Sequence, residues 1–212
     1  MIDIDPATTA LVIIDMQNDF CHPDGYYARA GRDISKLAGA IAPVQKLLAQ
    51  ARGAGLTIVF TRLVHDEARG AMEERHRIRP RRWTAHGKRL TPGSWGADVI
   101  DALHPHAGEL VIDKNGFSAF DDTTLEQDLH QRGVKTVLLT GVVTYACVLA
   151  TAFSAFDRGF DVLLVQDAVG SWIDALGTNT SEIVDLLLGQ SVTIDDLSMS
   201  SNATTAKPIV TV

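Results

Sequence analysis

Residues 135–153 read KTVLLTGVVTYACVLATAF, and the way this stretch divides decides the fold. The run TVLL is short, unbroken and apolar, which suits a strand buried on both faces rather than an amphipathic one. From about Tyr145 to Arg158 the spacing predicts a helix. Cys147, one of only two cysteines in the chain, falls where that helix begins. A free cysteine is among the most buried residue types and by itself reads as packing. At a strand-to-helix junction it has a second reading, as a thiol placed to react.

Outward from this stretch the same pattern recurs. TTALVIID from Thr8, LTIVFTR from Leu56, ELVID from Glu109 and DVLLVQD from Asp161 are equally short and apolar. SVTI at 191–194 supplies a sixth candidate strand. Helical patterns lie between them. PVQKLLAQARGAG has Pro43 in a first turn, a stripe of Val44, Leu47, Leu48 and Ala51, and Gly53 or Gly55 as its stop. DDTTLEQDLHQRG offers Thr123 or Thr124 as N-cap and ends at Gly133, and a fourth helix is expected from about Thr178 to Leu188. Alternating strands and helices predict an α/β fold of three layers, α/β/α, with right-handed crossovers around a parallel sheet.

With 212 residues and no break in composition, the expectation is a single domain over 1–197 and a polar C-terminal tail over 198–212. One segment breaks the alternation. A loop insertion at about 64–98 holds eight Lys or Arg against five acids, three of the seven histidines, and both Trp83 and Trp95. Long aromatic-bearing loops serve equally as substrate-contacting lids or as surfaces between subunits. Hydrophobic content of 46% against 21% charged predicts a real core. A formal charge of −7 argues against nucleic acid and anionic membrane as partners, and so for a small-molecule substrate. The acidic start and the absence of any run of ~18 apolar residues predict a cytoplasmic protein. Cys21 and Cys147 form no disulfide framework and match no metal spacing.

In open parallel sheets, ligands bind outside the carboxyl ends of the strands, where strand order reverses. Three reactive side chains pass that filter. Asp15 ends the first strand, Lys114 follows ELVID, and Cys147 follows KTVLLTG. A thiol attacks as thiolate, a nearby cation favours that form, and a carboxylate within reach can take the proton. Cys147 is then the nucleophile, Asp15 the base, and Lys114 the cation that holds the anionic charges, the three titrating as a set. The bland alternatives are a turn-forming aspartate and a solvated strand-end lysine.

Three segments, ALVIIDMQNDF, VIDKNGFSAF and LTGVVTYACVLATAFSAFDRGFDVLLVQDAVGS, resemble the signatures of the isochorismatase-like cysteine hydrolases, in the right order over roughly residues 8–170. That superfamily includes nicotinamidases and amidases acting on N-carbamoyl and ureido compounds. The resemblance implies an Asp15, Lys114 and Cys147 triad, a covalent thioester, and a six-stranded parallel sheet in order 3-2-1-4-5-6 (Rossmann-like). It also implies a cis peptide joining Val142 to Val143, with the N–H groups of Val143 and Cys147 as the oxyanion hole. It further implies a homo-oligomer, a dimer or tetramer. GSW at 93–95 is similar to a segment in members that hydrolyse ureido or carbamoyl compounds, which makes Trp95 a candidate substrate contact.

Two departures from the family pattern bear on chemistry. Nicotinamidases carry metal ligands just after the second strand, and in FTRLVHD His65 is present while Leu63 stands where an aspartate is needed. No metal and no cofactor are therefore expected. Many relatives have Asp or Asn two residues before the cysteine, and here that residue is Tyr145. Gln17 is expected to meet either the substrate or the Asp15 carboxylate. Phe20, Phe117 and Phe120 either line a pocket or belong to the core. The function expected is hydrolysis of a non-peptide C–N bond in a small amide, ureido or carbamoyl substrate. The alternatives are a vinyl-ether hydrolase of the isochorismatase type and a catalytically idle binding or assembly protein.

Overall fold

The structure is a computed structural model, and it describes residues 1–65 and 88–199. Among these residues there are eight strands: β1 Ile2–Asp3, β2 Thr9–Ile14, β3 Thr57–Leu63, β4 Leu110–Lys114, β5 Thr136–Val142, β6 Asp161–Gly170, β7 Gly189–Val192 and β8 Leu197–Ser198. Six of them form one sheet in the order β4-β3-β2-β5-β6-β7, every neighbouring pair parallel. With the short β1 left out, this is the 3-2-1-4-5-6 pattern. β1 and β8 make a separate two-stranded parallel pair that the sequence pattern did not signal.

Among the described residues there are seven α-helices: α1 Asn18–Cys21, α2 Tyr26–Arg29, α3 Ser35–Ala38, α4 Ile41–Ala54, α5 Leu125–Gln131, α6 Leu149–Asp157 and α7 Asp174–Ile183. The whole of β2 is buried, and its alternate residues feed two cores. Leu11 and Ile13 join the α4 stripe of Val44, Leu47, Leu48 and Ala51 on one face. Ala10, Val12 and Ile14 join Leu125 and Leu129 of α5 and Ala152 and Ala155 of α6 on the other. Each fully buried aliphatic side chain contributes about 1.5 to 3 kcal/mol of transfer free energy. A continuous apolar run is thus what a middle strand of three layers requires.

The expected elements are present with shifted ends. The last sheet strand runs Gly189–Val192 rather than 191–194, because Ile194 has turned into a 3₁₀ helix, Ile194–Asp196. The helix expected from Thr178 starts earlier, at Asp174, and its final turn is a π-helix, Val184–Leu188. A second π turn, Thr144–Val148, precedes α6. Of the insertion, residues 66–87, with His76, Trp83 and His86, lie outside the described residues. So does the tail from 200 onward. No helix among the described residues is long and apolar enough to cross a membrane.

Candidate active site

All six strands point their carboxyl ends to one edge. From β2 the chain departs toward β3, and from β5 it departs toward β6, on the opposite side. The crevice between these two strands is the reversal point where such sheets bind ligands. β2 and β5 come very close there. A Cβ on Gly141 would fall 2.1 Å from the Ile14 carbonyl oxygen, and its φ of 103° suits only glycine.

Asp15 is the first residue beyond β2. Its φ of 52° is left-handed, a conformation that aspartate tolerates better than most side chains, and it folds the residue back over the strand ends. Lys114 is the last residue of β4. Both side chains are shut away from solvent. The Lys114 ammonium donates to Asp15 Oδ2 at 2.7 Å and to the Gly116 carbonyl at 3.0 Å. Thr61, in the intervening β3, donates its hydroxyl to Asp15 Oδ1 at 2.7 Å. Burying an isolated ion costs several kcal/mol even after relaxation. Each charge here is held by the other and by neutral partners.

Cys147 sits in the π turn that follows β5, buried, with its sulfur interacting by charge and hydrogen bonding with both Lys114 and Asp15. Burial pushes its thiol up to about 12, Lys114 pulls the other way, and Asp15 reinforces the rise. Burial works against the Lys114 charge, but Asp15 and Cys147 outweigh it, and its pKa lies above the ordinary 10.5. The resting state is therefore a neutral thiol beside a formed ion pair. The Val142–Val143 peptide is cis. The Val143 carbonyl accepts from the N–H groups of Ala146 and Val148. Among the described residues, the Val143 N–H has no protein acceptor. Behind the turn, the Thr151 hydroxyl donates to the Cys147 carbonyl at 2.7 Å and accepts from the Ala119 N–H at 3.0 Å.

The other candidates divide. Gln17 makes no side-chain hydrogen bond to the Asp15 carboxylate. Its fully buried amide donates to the carbonyls of Leu63 at 3.0 Å and Ala97 at 2.8 Å, and accepts from the Leu63 N–H at 2.8 Å. Phe20 and Phe120 belong to the core, because their rings find apolar partners on opposite faces of the sheet. Phe20 stacks on Tyr27, and Phe120 packs against Phe160. Trp95 and Phe117 are exposed, at 47% and 41%, and available to a ligand. Tyr145 is half-buried, its hydroxyl raised by burial against the opposing pull of Arg32.

Sequence reasoning missed a clamp. Residues 88–100 lie as a strap along the start of α1. The Asn18 N–H donates to the Asp98 carbonyl at 3.0 Å, and Asn18 Nδ2 donates to the Trp95 carbonyl at 2.8 Å. Asp19, buried, accepts from the N–H groups of Tyr26 at 2.9 Å and Leu90 at 2.7 Å. Gly96 must be glycine, since a Cβ there would meet Asp19 Oδ1 at 2.4 Å. The available signal was the string QND followed at once by apolar residues, three polar side chains with nowhere to go but inward. Leu63 is buried with both its backbone groups on Gln17, and no group of three His, Cys, Asp or Glu among the described residues could hold a metal ion.

Comparison with known proteins adds the following. A family model described as the isochorismatase domain matches residues 9–179. The ureidoacrylate amidohydrolase RutB of Methylobacterium radiotolerans is 34% identical over 177 residues, covering 79% of this chain and 69% of the relative. The ureidoacrylate amidohydrolase RutB of Variovorax paradoxus is 31% identical, covering 93% and 83%. Among solved structures, the N-carbamoylsarcosine amidase of Thermoplasma acidophilum superposes with a TM-score of 0.72 at 29% identity, over 88% of this chain and 95% of that one.

Proposed function

The chain belongs to the isochorismatase family, and on that premise we propose that it is a cysteine-dependent amidohydrolase acting on a small ureido or carbamoyl compound. The observation that carries this reading is the Lys114 ammonium, buried, bonded at 2.7 Å to Asp15 and in contact with Cys147. A cation is costly in that position, and it is useful there only if negative charge forms beside it.

The chemistry follows from the positions. Cys147 at rest is protonated, so attack on the scissile carbonyl requires Asp15 to take the thiol proton as the S–C bond forms. The charge that develops on the carbonyl oxygen is met by the N–H groups of Val143 and Cys147, the first of which makes no other hydrogen bond among the described residues. Asp15 then passes its proton to the departing nitrogen, the C–N bond breaks, and the acyl group remains on sulfur as a thioester. Water attacks that carbon with Asp15 again as base, and the thiol leaves with the proton returned. Throughout, Lys114 keeps one positive charge beside Asp15 and Cys147, balanced by the carboxylate whenever Asp15 is ionised. The similarity to ureidoacrylate amidohydrolases and to an N-carbamoylsarcosine amidase supports a ureido or carbamoyl substrate.

The test is amine or ammonia release over a panel of ureido acids, N-carbamoyl amino acids and simple primary amides, with mass spectrometry of the quenched enzyme. Turnover of a ureido or carbamoyl member, with an acyl adduct on the Cys147 peptide, is the expected result. Turnover at the wild-type rate by the Cys147→Ala protein would remove the mechanism.

A further inference from the structure

One fully buried polar side chain at the site has no part in the steps above. Thr61 lies inside β3, between the strand that delivers Asp15 and the strand that delivers Lys114. Its neighbours in register are Ile14 on one side and Ile112 on the other. By packing alone a valine would serve there, since the branched shape is the same and a buried hydroxyl is costly unless it is bonded. The hydroxyl is bonded twice, both times to one residue. It donates to Asp15 Oδ1 at 2.7 Å and accepts from the Asp15 N–H at 3.3 Å. The same N–H also reaches the Thr61 carbonyl at 3.1 Å.

This closed ring has a chemical consequence. The two oxygens of Asp15 are assigned to different donors, Oδ1 to Thr61 and Oδ2 to Lys114. The carboxylate cannot turn about its own axis without losing both. Each oxygen keeps one lone pair, and the proton arriving from sulfur has to enter one of those. The groups that face Asp15 are Lys114 from β4, Cys147 from the turn after β5, and Cys21 from α1. Beside these, Thr61 is a neutral donor to the carboxylate that gives up no proton in the reaction.

We propose that Thr61 is a positioning residue for the reaction: its hydroxyl fixes the orientation of the Asp15 carboxylate from beneath, and so governs the transfer of the Cys147 proton without touching substrate. This rests on the mechanism proposed above. Alkylation of the native protein by iodoacetamide tests it, since it needs no knowledge of the substrate, and peptide mapping separates Cys147 from Cys21. Thr61→Val is expected to slow modification of Cys147 about ten-fold at neutral pH and to move the acid limb of its pH profile upward by about one unit, the effect of losing one hydrogen bond to a charged group. Thr61→Ser, which keeps the hydroxyl, is expected to restore both within about three-fold. Thr61→Ala carries the same expectation as valine should the valine protein fail to fold. In an Asp15→Asn background, Thr61→Val is expected to add less than about two-fold, because a residue that acts only through Asp15 has nothing left to act on. An unchanged profile in Thr61→Val, a serine variant as slow as valine, or losses that add fully in the double variant would each overturn the inference. If Asp15→Asn itself leaves alkylation unchanged, the proposed mechanism fails first, and the two failures are told apart.

Discussion

The chain that leaves β2 and the chain that leaves β5 start side by side at the same sheet edge, each carries a cysteine, and they use their polar groups in opposite ways. After β2, the side chains of Gln17, Asn18 and Asp19 are spent on backbone groups of Leu63, Ala97, Trp95, Tyr26 and Leu90. After β5, the Val143 N–H donates to nothing among the described residues. The two thiols themselves hardly differ. Burial pushes both up to about 12, with Asp15 adding to the rise in each case. Cys21 has the Leu37 carbonyl at 4.0 Å, whereas Cys147 has the Lys114 ammonium. Proton affinity at rest therefore does not set the two thiols apart. The cation and the unspent Val143 N–H do.

Four experiments would break or sharpen this contrast. The largest effect is expected from the cysteines. Cys147→Ala should lower turnover about 10⁴-fold or more, as for removal of a nucleophile. Cys21→Ala should leave kcat within about three-fold and cost about 1 to 2 kcal/mol in urea denaturation, the cost of a small cavity. A Cys21→Ala protein that folds but does not turn over would erase the distinction.

Next in size is Lys114→Met, which strands a buried carboxylate. A loss of about 3 to 5 kcal/mol of stability is expected by chemical denaturation. Asp15→Asn in the same protein should recover part of it, because the charge is then gone.

A smaller change tests the clamp alone. Gly96→Ala forces a methyl onto the Asp19 carboxylate and should cost about 1 to 3 kcal/mol by thermal unfolding. Activity per folded molecule should change far less than with any change at Cys147.

The smallest effect, taken per pH unit, is that of pH, and there the two cysteines should behave alike. Each thiol binds its proton more tightly in the folded chain, at about 12 against the ordinary 9.0. Below pH 9 that contribution is complete, and it is lost as pH rises toward 12. Stability in urea should fall by about 1 kcal/mol per pH unit for each thiol across that window. Alanine at either position should flatten the slope to a similar degree. Unequal slopes would show that the shared burial is not the cause.

The sheet was legible because its evidence is local. A run such as TALVII needs only its own composition to declare a strand covered on both sides, and the same holds for the α4 stripe. Asp15, Lys114 and Cys147 were legible as polar residues placed at strand ends, a position the topology makes common to all three. The partners of Gln17 were not legible, because Leu63 and Ala97 lie 46 and 80 residues away. No periodicity carries a hydrogen bond of that reach. Thr61 was passed over for a related reason, as a β-branched residue that fits a buried strand whether or not its hydroxyl has a task. Phe20 and Phe120 could not be assigned between core and pocket, since an aromatic beside a catalytic residue in sequence has no fixed side of the sheet.

The Thr151 hydroxyl, seated between the Cys147 carbonyl and the Ala119 N–H, makes the segment beyond the lysine and the segment bearing the sulfur one mechanical part. An insertion or deletion anywhere in residues 115–124 would therefore be felt at the sulfur as a displacement, even with every residue of the turn 144–148 left untouched.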